Sequence, residues 1–363
     1  MKKSITLSII AIVIAMFAMT EASAQKKSFP RKYVDASTFT VINKVQDDGM
    51  AFKRLNAEQF SAPKSLENSS TGIAILFRTD SHFIEARWST LSNKLGNNMT
   101  PIFHSGLDLY IRENGEWIFA GVARPKFNST EHKYLITNKM ADGMKECMIY
   151  LPMFNCVNKL EIGVSPKATI EAIPSPFKHK IIFIGSSITH GASASRPGAA
   201  YVARMGRALN AETPNVGLSG RCKLDDYFAN IVCESKADAY VFDTFSNSTA
   251  EQIDERLYNF VKRITEAHPG KPMIFLQTIK RDTGTFNLGS RKRNDDQREA
   301  AVRGMARVCK DFKDVYFINP GFILGDDHEG STDGTHLNDL GVQRTLDNTL
   351  PKVKKILKKY KIK

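Results

Sequence analysis

Residues 181–191 constrain the fold of this chain more than any other stretch. They read Ile-Ile-Phe-Ile-Gly-Ser-Ser-Ile-Thr-His-Gly, so four apolar residues run directly into a Gly-Ser-Ser turn. A short apolar run rich in β-branched residues and bounded by turn residues is typical of a buried strand. Ligands and chemistry in open α/β sheets collect at the carboxyl ends of the strands. The stretch therefore predicts a serine hydroxyl at the functional edge of such a sheet.

Ser187, the second serine of this turn, is a candidate nucleophile. A serine hydroxyl is inert until a base takes its proton and donors receive the oxyanion, so the rest of the chain has to supply both. The other interpretation is a Ser-rich turn after an ordinary strand. Polar residues at other strand ends decide between the two.

From residue 180 onward, strand-like runs alternate with helical patterns. Helices are predicted after Pro197, across residues 223–234, from about 250 to 267, near 295–312 and after Asn338. Strands are predicted at residues 181–184, 214–218, 240–244, 273–279 and 315–318. This alternation predicts an α/β domain with a doubly wound, mainly parallel sheet.

Residues 25–172 show short β-type segments and turns instead. These segments are residues 72–78, 83–88, 107–111, 117–122, 133–137, 148–151 and 159–163. Asn114-Gly115 is a strong hairpin signal between two of them. Many short strands without a convincing helix predict an all-β sandwich of jelly-roll type. Residues 165–180 contain three prolines and are interpreted as the linker, which places the second domain at residues 173–363.

Residues 1–24 are predicted to be a secretory signal peptide. Lys2 and Lys3 precede an apolar run at residues 5–19, and Ala22-Ser-Ala24 then offers a cleavage site before Gln25. An uncleaved anchor is the alternative, although the apolar run is short for a membrane span. We therefore expect an exported protein, periplasmic or extracellular, that is not stably inserted in a membrane after cleavage.

Charge and cysteine content exclude several classes of protein. Five cysteines are few and odd in number for an exported chain, which argues against a disulfide framework and leaves only a Cys147–Cys156 bridge open. Much of the formal charge of +13 lies in residues 352–363, whose spacing predicts a basic amphipathic helix. No nucleic-acid reader motif accompanies this charge, so no nucleic-acid partner is expected. Residues 326–329 are acidic and contain a histidine, but four consecutive residues do not converge easily on one ion, so no metal site is predicted.

Four blocks in the second half occur in the order of a known family. The blocks are Gly185-Ser-Ser-Ile-Thr, Asn215-Val-Gly-Leu-Ser-Gly220, Phe245-Ser-Asn-Ser248 and Asp333-Gly-Thr-His336. Together they resemble the motifs of the SGNH, or GDSL-type, hydrolases, which implies a flavodoxin-like sheet and a serine esterase that needs no cofactor.

The resemblance assigns a role to one residue of each block and to two of the last. Ser187 would be the nucleophile, His336 its general base and then acid, and Asp333 the carboxylate that orients His336. The backbone N–H groups of Ser187 and Gly220 and the amide of Asn247 would form the oxyanion hole. A glycine at position 220 would also let the substrate oxygen approach the backbone closely.

The chain departs from the family pattern at two of these blocks. The family's Asp before the serine is Ser186 here, and the third block has Phe245 and Ser248 where the family has Gly and Asp. None of these groups attacks, carries a proton or donates to the oxyanion. We therefore expect altered loop packing with activity retained.

The first half carries a second resemblance. Residues 105–110, Ser-Gly-Leu-Asp-Leu-Tyr, look like the Gly-x-Asp-Leu-Tyr motif of the β domain that precedes a subset of SGNH esterases. We expect Asp108 and Tyr110 to stabilise a hairpin. His190 and Arg196, which follow the nucleophile turn, are further candidates for contact with substrate, with an indirect role for His190 and a solvated loop position for Arg196 as the alternatives.

The sequence thus predicts an exported two-domain serine esterase. Because the two resemblances together point to two-domain carbohydrate esterases, the expected partner is an acylated, most simply O-acetylated, carbohydrate or another small ester. A lipase or short-chain acyl hydrolase would use the same triad. A catalytically silent glycan-binding protein on a decayed hydrolase scaffold is the alternative from another class.

Overall fold

The computed structural model describes residues 30–45, 49–55 and 69–362. The predicted signal peptide lies outside these residues. Within them, two antiparallel sheets come from the first half of the chain and one parallel sheet from the second half.

The described residues of the first half form ten strands in two sheets. They are β1 (Lys32–Asp35), β2 (Thr40–Ile42), β3 (Ala74–Thr79), β4 (Ile84–Thr90), β5 (Leu107–Glu113), β6 (Glu116–Ala123), β7 (Glu131–Thr137), β8 (Lys145–Tyr150), β9 (Val157–Val164) and β10 (Ile170–Ala172). One sheet has the order β1-β9-β4-β7, and the other has the order β10-β3-β8-β5-β6 with β2 also paired to β3. The predicted antiparallel β region is therefore confirmed, while its jelly-roll winding stays a prediction.

Local turn chemistry explains the β5–β6 hairpin. Asn114 and Gly115 both have positive φ values, 52° and 85°. Asparagine and glycine reach this left-handed region more easily than other residues, and the twist of such a turn matches that of the flanking strands. The Asn-Gly signal thus marks the turn that brings the Asp108 and Tyr110 strand into the second sheet.

The second half forms a five-stranded parallel sheet of order β12-β11-β13-β14-β15. Its strands are β11 (Ile181–Gly185), β12 (Asn215–Gly217), β13 (Ala239–Asp243), β14 (Met273–Leu276) and β15 (Val315–Ile318). The helices are α1 (Pro101–Ser105) in the first half and α2 (Ser187–His190), α3 (Tyr201–Leu209), α4 (Asp226–Glu234), α5 (Ala250–Ala267), α6 (Leu288–Asp311) and α7 (Asp339–Lys359) in the second.

Helices cover both faces of the parallel sheet, as a doubly wound fold requires. Side chains alternate between faces along each strand. Ile182 and Ile184 accordingly pack on one face with α4, α5 and α6, whereas Ile181 and Phe183 pack on the other with α3 and α7. The near-continuous apolar run of β11 is what burial on both faces demands.

The structure corrects two details predicted from the sequence and settles a third that was left open. Residues 165–180, interpreted as a linker, contain β10, which pairs with β3. The first half contains the short helix α1, which begins with Pro101 after the capping residue Thr100. Cys147 and Cys156, between which the sequence left a bridge open, are both free. None of the described helices is long and apolar enough to cross a bilayer.

Candidate active site

The carboxyl end of β11 places Ser187 at the first turn of α2. Gly185 is required there because a Cβ would lie 2.1 Å from Thr189 Oγ1. Ser186 caps the helix, since its Oγ accepts a hydrogen bond from the backbone N–H of Ile188 at 3.2 Å. The chain can therefore reverse from strand to helix within two residues and present the Ser187 hydroxyl at the sheet edge.

Asp243, at the end of β13, braces this turn from the neighbouring strand. Its Oδ2 accepts hydrogen bonds from Ser186 Oγ at 3.2 Å and Thr189 Oγ1 at 3.1 Å. Complete burial raises the pKa of this carboxyl to about 6, although the hydroxyl donors lower it. A carboxylate thus supports the turn from β13 although the position before the nucleophile is a serine.

The structure brings the three predicted triad residues together. Ser187 Oγ lies 2.8 Å from His336 Nε2, and His336 Nδ1 lies 2.7 Å from Asp333 Oδ2. A proton on Nδ1 satisfies the carboxylate and leaves Nε2 free to accept the serine proton. The arrangement is therefore competent for general-base activation of the hydroxyl.

Asp333 is held as an ionised acceptor. Its Oδ1 accepts the backbone N–H groups of Thr335 at 3.1 Å and His336 at 2.8 Å. Partial burial raises the pKa of Asp333, but the hydrogen bonds from the His336 backbone and ring and from Asn98 outweigh that effect, so the pKa is lowered overall. The carboxylate is consequently charged at neutral pH.

Asn98, on the loop between β4 and α1, was missed by the sequence analysis. Its Nδ2 lies 3.2 Å from Asp333 Oδ2 and 3.3 Å from His336 Nδ1. No motif in the sequence singles out this asparagine, because it lies 235 residues before Asp333 in the chain.

The predicted oxyanion donors lie at the ends of β11, β12 and β13. Ser187 is the first residue of α2 and therefore lacks an intrahelical acceptor for its N–H. Gly220 is exposed at a turn in which the Arg221 N–H donates to the Leu218 carbonyl. Asn247 Oδ1 is buried without a hydrogen-bond partner among the described residues. Because Oδ1 only accepts hydrogen bonds, an oxyanion would be received by the Nδ2 group of the same amide.

The backbone of Gly220 gives a reason for glycine besides the predicted approach of a substrate oxygen. No described protein atom lies within 4 Å of where its Cβ would be, so packing against the protein does not require glycine there. Its φ of +72° does, because that left-handed conformation is strained for other residues.

A half-buried arginine and a buried glutamine fix the loop that carries Asn247. Arg281 Nη2 donates to the carbonyl of Ser246 at 2.6 Å, and Gln297 Nε2 donates to the carbonyl of Ser248 at 2.5 Å. The residues on both sides of Asn247 are therefore tied to the loop after β14 and to α6. The substituted third block retains an ordered loop by this route.

His190 lies in the junction between the two halves of the chain. It is fully buried, its ring stacks on Phe154 at a centroid distance of 3.5 Å, and its Nε2 lies 2.9 Å from Thr71 Oγ1. Burial, with the charge of Arg54, holds the pKa of His190 well below its usual range. As the last residue of α2, His190 therefore supports the nucleophile helix from this junction.

Arg196 also contacts the first half of the chain. Its Nη1 lies 2.7 Å from Asp108 Oδ2 and 2.7 Å from Tyr110 Oη. Asp108 Oδ2 accepts a second hydrogen bond from the Gly198 N–H at 2.8 Å, and Tyr110 Oη donates to the Gly198 carbonyl at 3.2 Å. Asp108 and Tyr110, expected to stabilise a hairpin, therefore also anchor the loop between α2 and α3.

A cavity of about 510 Å³ opens beside the site, at the carboxyl end of β14. It is lined largely by polar and charged side chains, including Arg281, Asp282, Asn294, Phe322 and His328. The N–H of Thr283 donates to the carbonyl of Gly334, in the turn between Asp333 and His336, at 3.3 Å. The cavity thus adjoins the triad turn and, through Arg281, the Asn247 loop.

The acidic stretch at residues 326–329 is used by ion pairs. Asp327 pairs with Arg344, and His328 pairs with Asp282 at 2.7 Å. Across the described ranges, no three His, Cys, Asp or Glu side chains are grouped so that they could hold a metal ion.

A parallel sheet of this order, with a serine, a histidine and an aspartate in contact at its carboxyl edge, is the architecture of an SGNH-type hydrolase. The chain belongs to the GDSL-like lipase/acylhydrolase family, whose model matches residues 178–354. Residues 31–170 match the GxDLY domain, the N-terminus of SGNH-hydrolase-type esterases. No curated protein matches the chain.

Solved structures show the same fold over both halves. A GDSL-like lipase from Bacteroides ovatus ATCC 8483 is 39% identical with a TM-score of 0.87, covering 91% of this chain and 98% of that one. A salicylyl-acyltransferase from a tetracycline biosynthetic pathway is 20% identical, with a TM-score of 0.71 over 90% of this chain and 97% of that one. A family two carbohydrate esterase from Cellvibrio japonicus is 13% identical, with a TM-score of 0.62 over 91% of this chain and 98% of that one. Family membership supports the hydrolysis of acyl esters, and the two more distant structures support the fold alone.

Proposed function

We propose that this protein is an exported serine esterase that removes O-acyl groups, most simply O-acetyl groups, from carbohydrate. The observation that carries the proposal is the contact series Ser187 Oγ to His336 Nε2 and His336 Nδ1 to Asp333 Oδ2, at 2.8 and 2.7 Å. Distances of this kind are those required between a nucleophile, its base and the group that orients the base. The intact series also argues against a catalytically silent binding protein.

In the proposed mechanism, Ser187 Oγ attacks the ester carbonyl carbon while His336 Nε2 takes its proton. Asp333 stabilises the resulting imidazolium. The tetrahedral oxyanion is received by the N–H groups of Ser187 and Gly220 and by the amide of Asn247. Collapse breaks the bond to the alcohol oxygen, and His336 returns the proton to that oxygen. Water, deprotonated by His336, then attacks the acyl-enzyme and releases the carboxylic acid and free Ser187.

The cavity beside the triad turn favours a hydroxylated substrate. The carboxylates of Asp282 and Asp326 and the amide of Asn294 line this cavity. Such groups form hydrogen bonds with hydroxyl groups and not with an alkyl chain. Phe322 adds an aromatic ring to the same cavity, and Phe286, 95% exposed, lies in the adjoining loop. Carboxylates beside aromatic rings suit sugars better than long acyl chains.

Activity on a set of esters tests this proposal. The purified mature protein is assayed with 4-nitrophenyl acetate, butyrate and octanoate and with an acetylated xylo-oligosaccharide, beside Ser187→Ala. We expect acetate turnover that collapses in the variant, together with acetate release from the oligosaccharide. Preference for octanoate would favour a lipase, and glycan binding without turnover would favour the silent binding protein.

The substrate class is tested by Asp282→Asn, which keeps the side-chain shape. We expect a higher KM for the oligosaccharide and unchanged turnover of 4-nitrophenyl acetate, because the small ester leaves the cavity empty. Equal changes for both substrates would instead indicate that Asp282 only supports the fold.

Export, with cleavage before Gln25, and the domain division at residue 172 are parts of the same proposal. The charged, apolar and small-residue order of residues 1–24 supports the first. Amino-terminal sequencing of the protein from the periplasm or medium should begin at Gln25, whereas a chain retained with its first residues in the membrane fraction would indicate an anchor.

A further inference from the structure

The loop between β4 and α1 carries the first half of the chain into the candidate active site. Asn98 Nδ2 lies 3.2 Å from Asp333 Oδ2, the same oxygen that His336 Nδ1 contacts at 2.7 Å. Asn98 Nδ2 and His336 Nδ1 lie 3.3 Å apart. They are close because both donate to the same acceptor, Asp333 Oδ2. Asn98 is the member of this cluster that belongs to neither the hydrolase motifs nor the parallel sheet.

Contacts at both ends of the loop hold Asn98 in place. Asn155 brackets the start of the loop, because its Nδ2 donates to the Ser92 carbonyl and its Oδ1 accepts the Ser92 N–H. At the other end, Thr100 Oγ1 donates to the carbonyl of Ser195 at 2.7 Å. Ser193 Oγ donates to the Asn98 carbonyl itself at 3.1 Å. The backbone at Asn98 is therefore fixed independently of its side chain.

The amide completes the set of donors around Asp333. Two backbone N–H groups occupy Oδ1, and His336 with Asn98 occupies Oδ2. Asp333 is about a third exposed, so without the amide its carboxylate can rotate toward water. A rotated carboxylate no longer aligns the imidazole with Ser187, and partners of this kind around a catalytic histidine fix its orientation and tautomer.

We propose that Asn98 is a positioning residue that the β-sheet half of the chain supplies to the Asp333–His336 pair. The proposal rests on the function proposed above for Ser187, His336 and Asp333. Residues from both halves of the chain then form the active site.

The test uses the full-length mature protein with Asn98→Ala and the isosteric Asn98→Asp. The control is Asn97→Ala, which removes an exposed neighbour on the same loop. For 4-nitrophenyl acetate we expect kcat of Asn98→Ala to fall about tenfold with KM unchanged, the lower end expected for loss of one hydrogen bond to a charged group. Thermal unfolding should match the Asn97→Ala control.

The pH dependence separates positioning from a merely structural role. Asn98→Asp replaces a donor with a negative charge beside the imidazole, which favours the imidazolium. We expect the acid limb of kcat/KM to move to higher pH by about one unit. NMR should show the His336 ring titrating at correspondingly higher pH, and this measurement needs no turnover.

Three results would overturn the proposal. A rise in KM alone would make Asn98 a substrate contact, a loss of stability matching the loss of activity would make it a structural residue, and unchanged kinetics and titration would leave it without a role. Failure of the proposed function looks different, since wild-type protein and Ser187→Ala would then be equally inactive while the NMR titration still reports on Asn98.

Discussion

Replacing Arg196 with alanine should lower the free energy of unfolding and leave KM for esters nearly unchanged. Asp108 is fully buried, and its Oδ2 depends on Arg196 Nη1 at 2.7 Å and the Gly198 N–H at 2.8 Å. Burial raises the pKa of Asp108, and the charge of Arg196 opposes that effect. Removal of the guanidinium therefore leaves either an unpaired buried carboxylate or a carboxyl that must be protonated on folding. Both states lower the stability of the folded protein.

The size of the effect follows from this geometry. Breaking a buried ion pair by removing one partner costs about 3 to 5 kcal/mol. Arg196 is 26% exposed and Asp108 can be protonated, so we expect the lower end, about 3 kcal/mol. Asp108→Asn combined with Arg196→Met removes both charges and should recover part of this loss, because no charge is then buried.

Denaturant unfolding at neutral pH checks this prediction through a lower midpoint at an unchanged slope. Arg303→Ala is the control, since its ion pair with Asp254 is exposed on both sides and should cost less than about 1 kcal/mol. If Arg196→Ala unfolds like the wild type and instead raises KM for esters, the arginine contacts substrate and the anchoring interpretation is wrong.

Two further predictions concern the loops around the nucleophile. Asn247→Ala should lower kcat for 4-nitrophenyl acetate by about 100-fold or more, because an oxyanion donor is lost. Thr249→Ala, which removes only the cap of α5, is the control. A change in KM alone would contradict the assignment of Asn247. Because the folded protein holds the Asp243 proton up to a pKa of about 6 whereas the unfolded chain loses it near 3.8, wild-type stability should fall by about 2 kcal/mol relative to Asp243→Asn as pH rises from 4 to 6. Parallel stability curves for the two proteins over that range of pH would show that Asp243 is not buried as described.

Residues whose role depends on local pattern could be predicted from the sequence. The apolar run of β11 and the Gly-Ser-Ser turn identified Ser187, and the short spacing of Asp333 and His336 placed both on one turn. The alternation of strands and helices predicted a doubly wound sheet, and the structure has five parallel strands in that sheet.

Residues whose role depends on distant contacts could not be predicted in this way. Asn98 and Asp333 are separated by 235 positions, and Asp243 reaches Ser186 across 57. Nothing local marks either residue, because each is defined by a neighbour that only the folded chain provides. β10 was missed for a related reason, since its three residues form a strand only because β3 offers an edge to pair with.

The proposed mechanism requires Ser187 to form an acyl-enzyme. Mature protein mixed with excess 4-nitrophenyl acetate is quenched in acid within one turnover, and its peptides are analysed by mass spectrometry, with Ser186→Ala and Ser187→Ala in parallel. We expect one acetyl group on Ser187 in the wild type and in Ser186→Ala, and none at this site in Ser187→Ala. Acetylation of Ser186 or another residue, or turnover that persists in Ser187→Ala, would show that Ser187 is not the nucleophile.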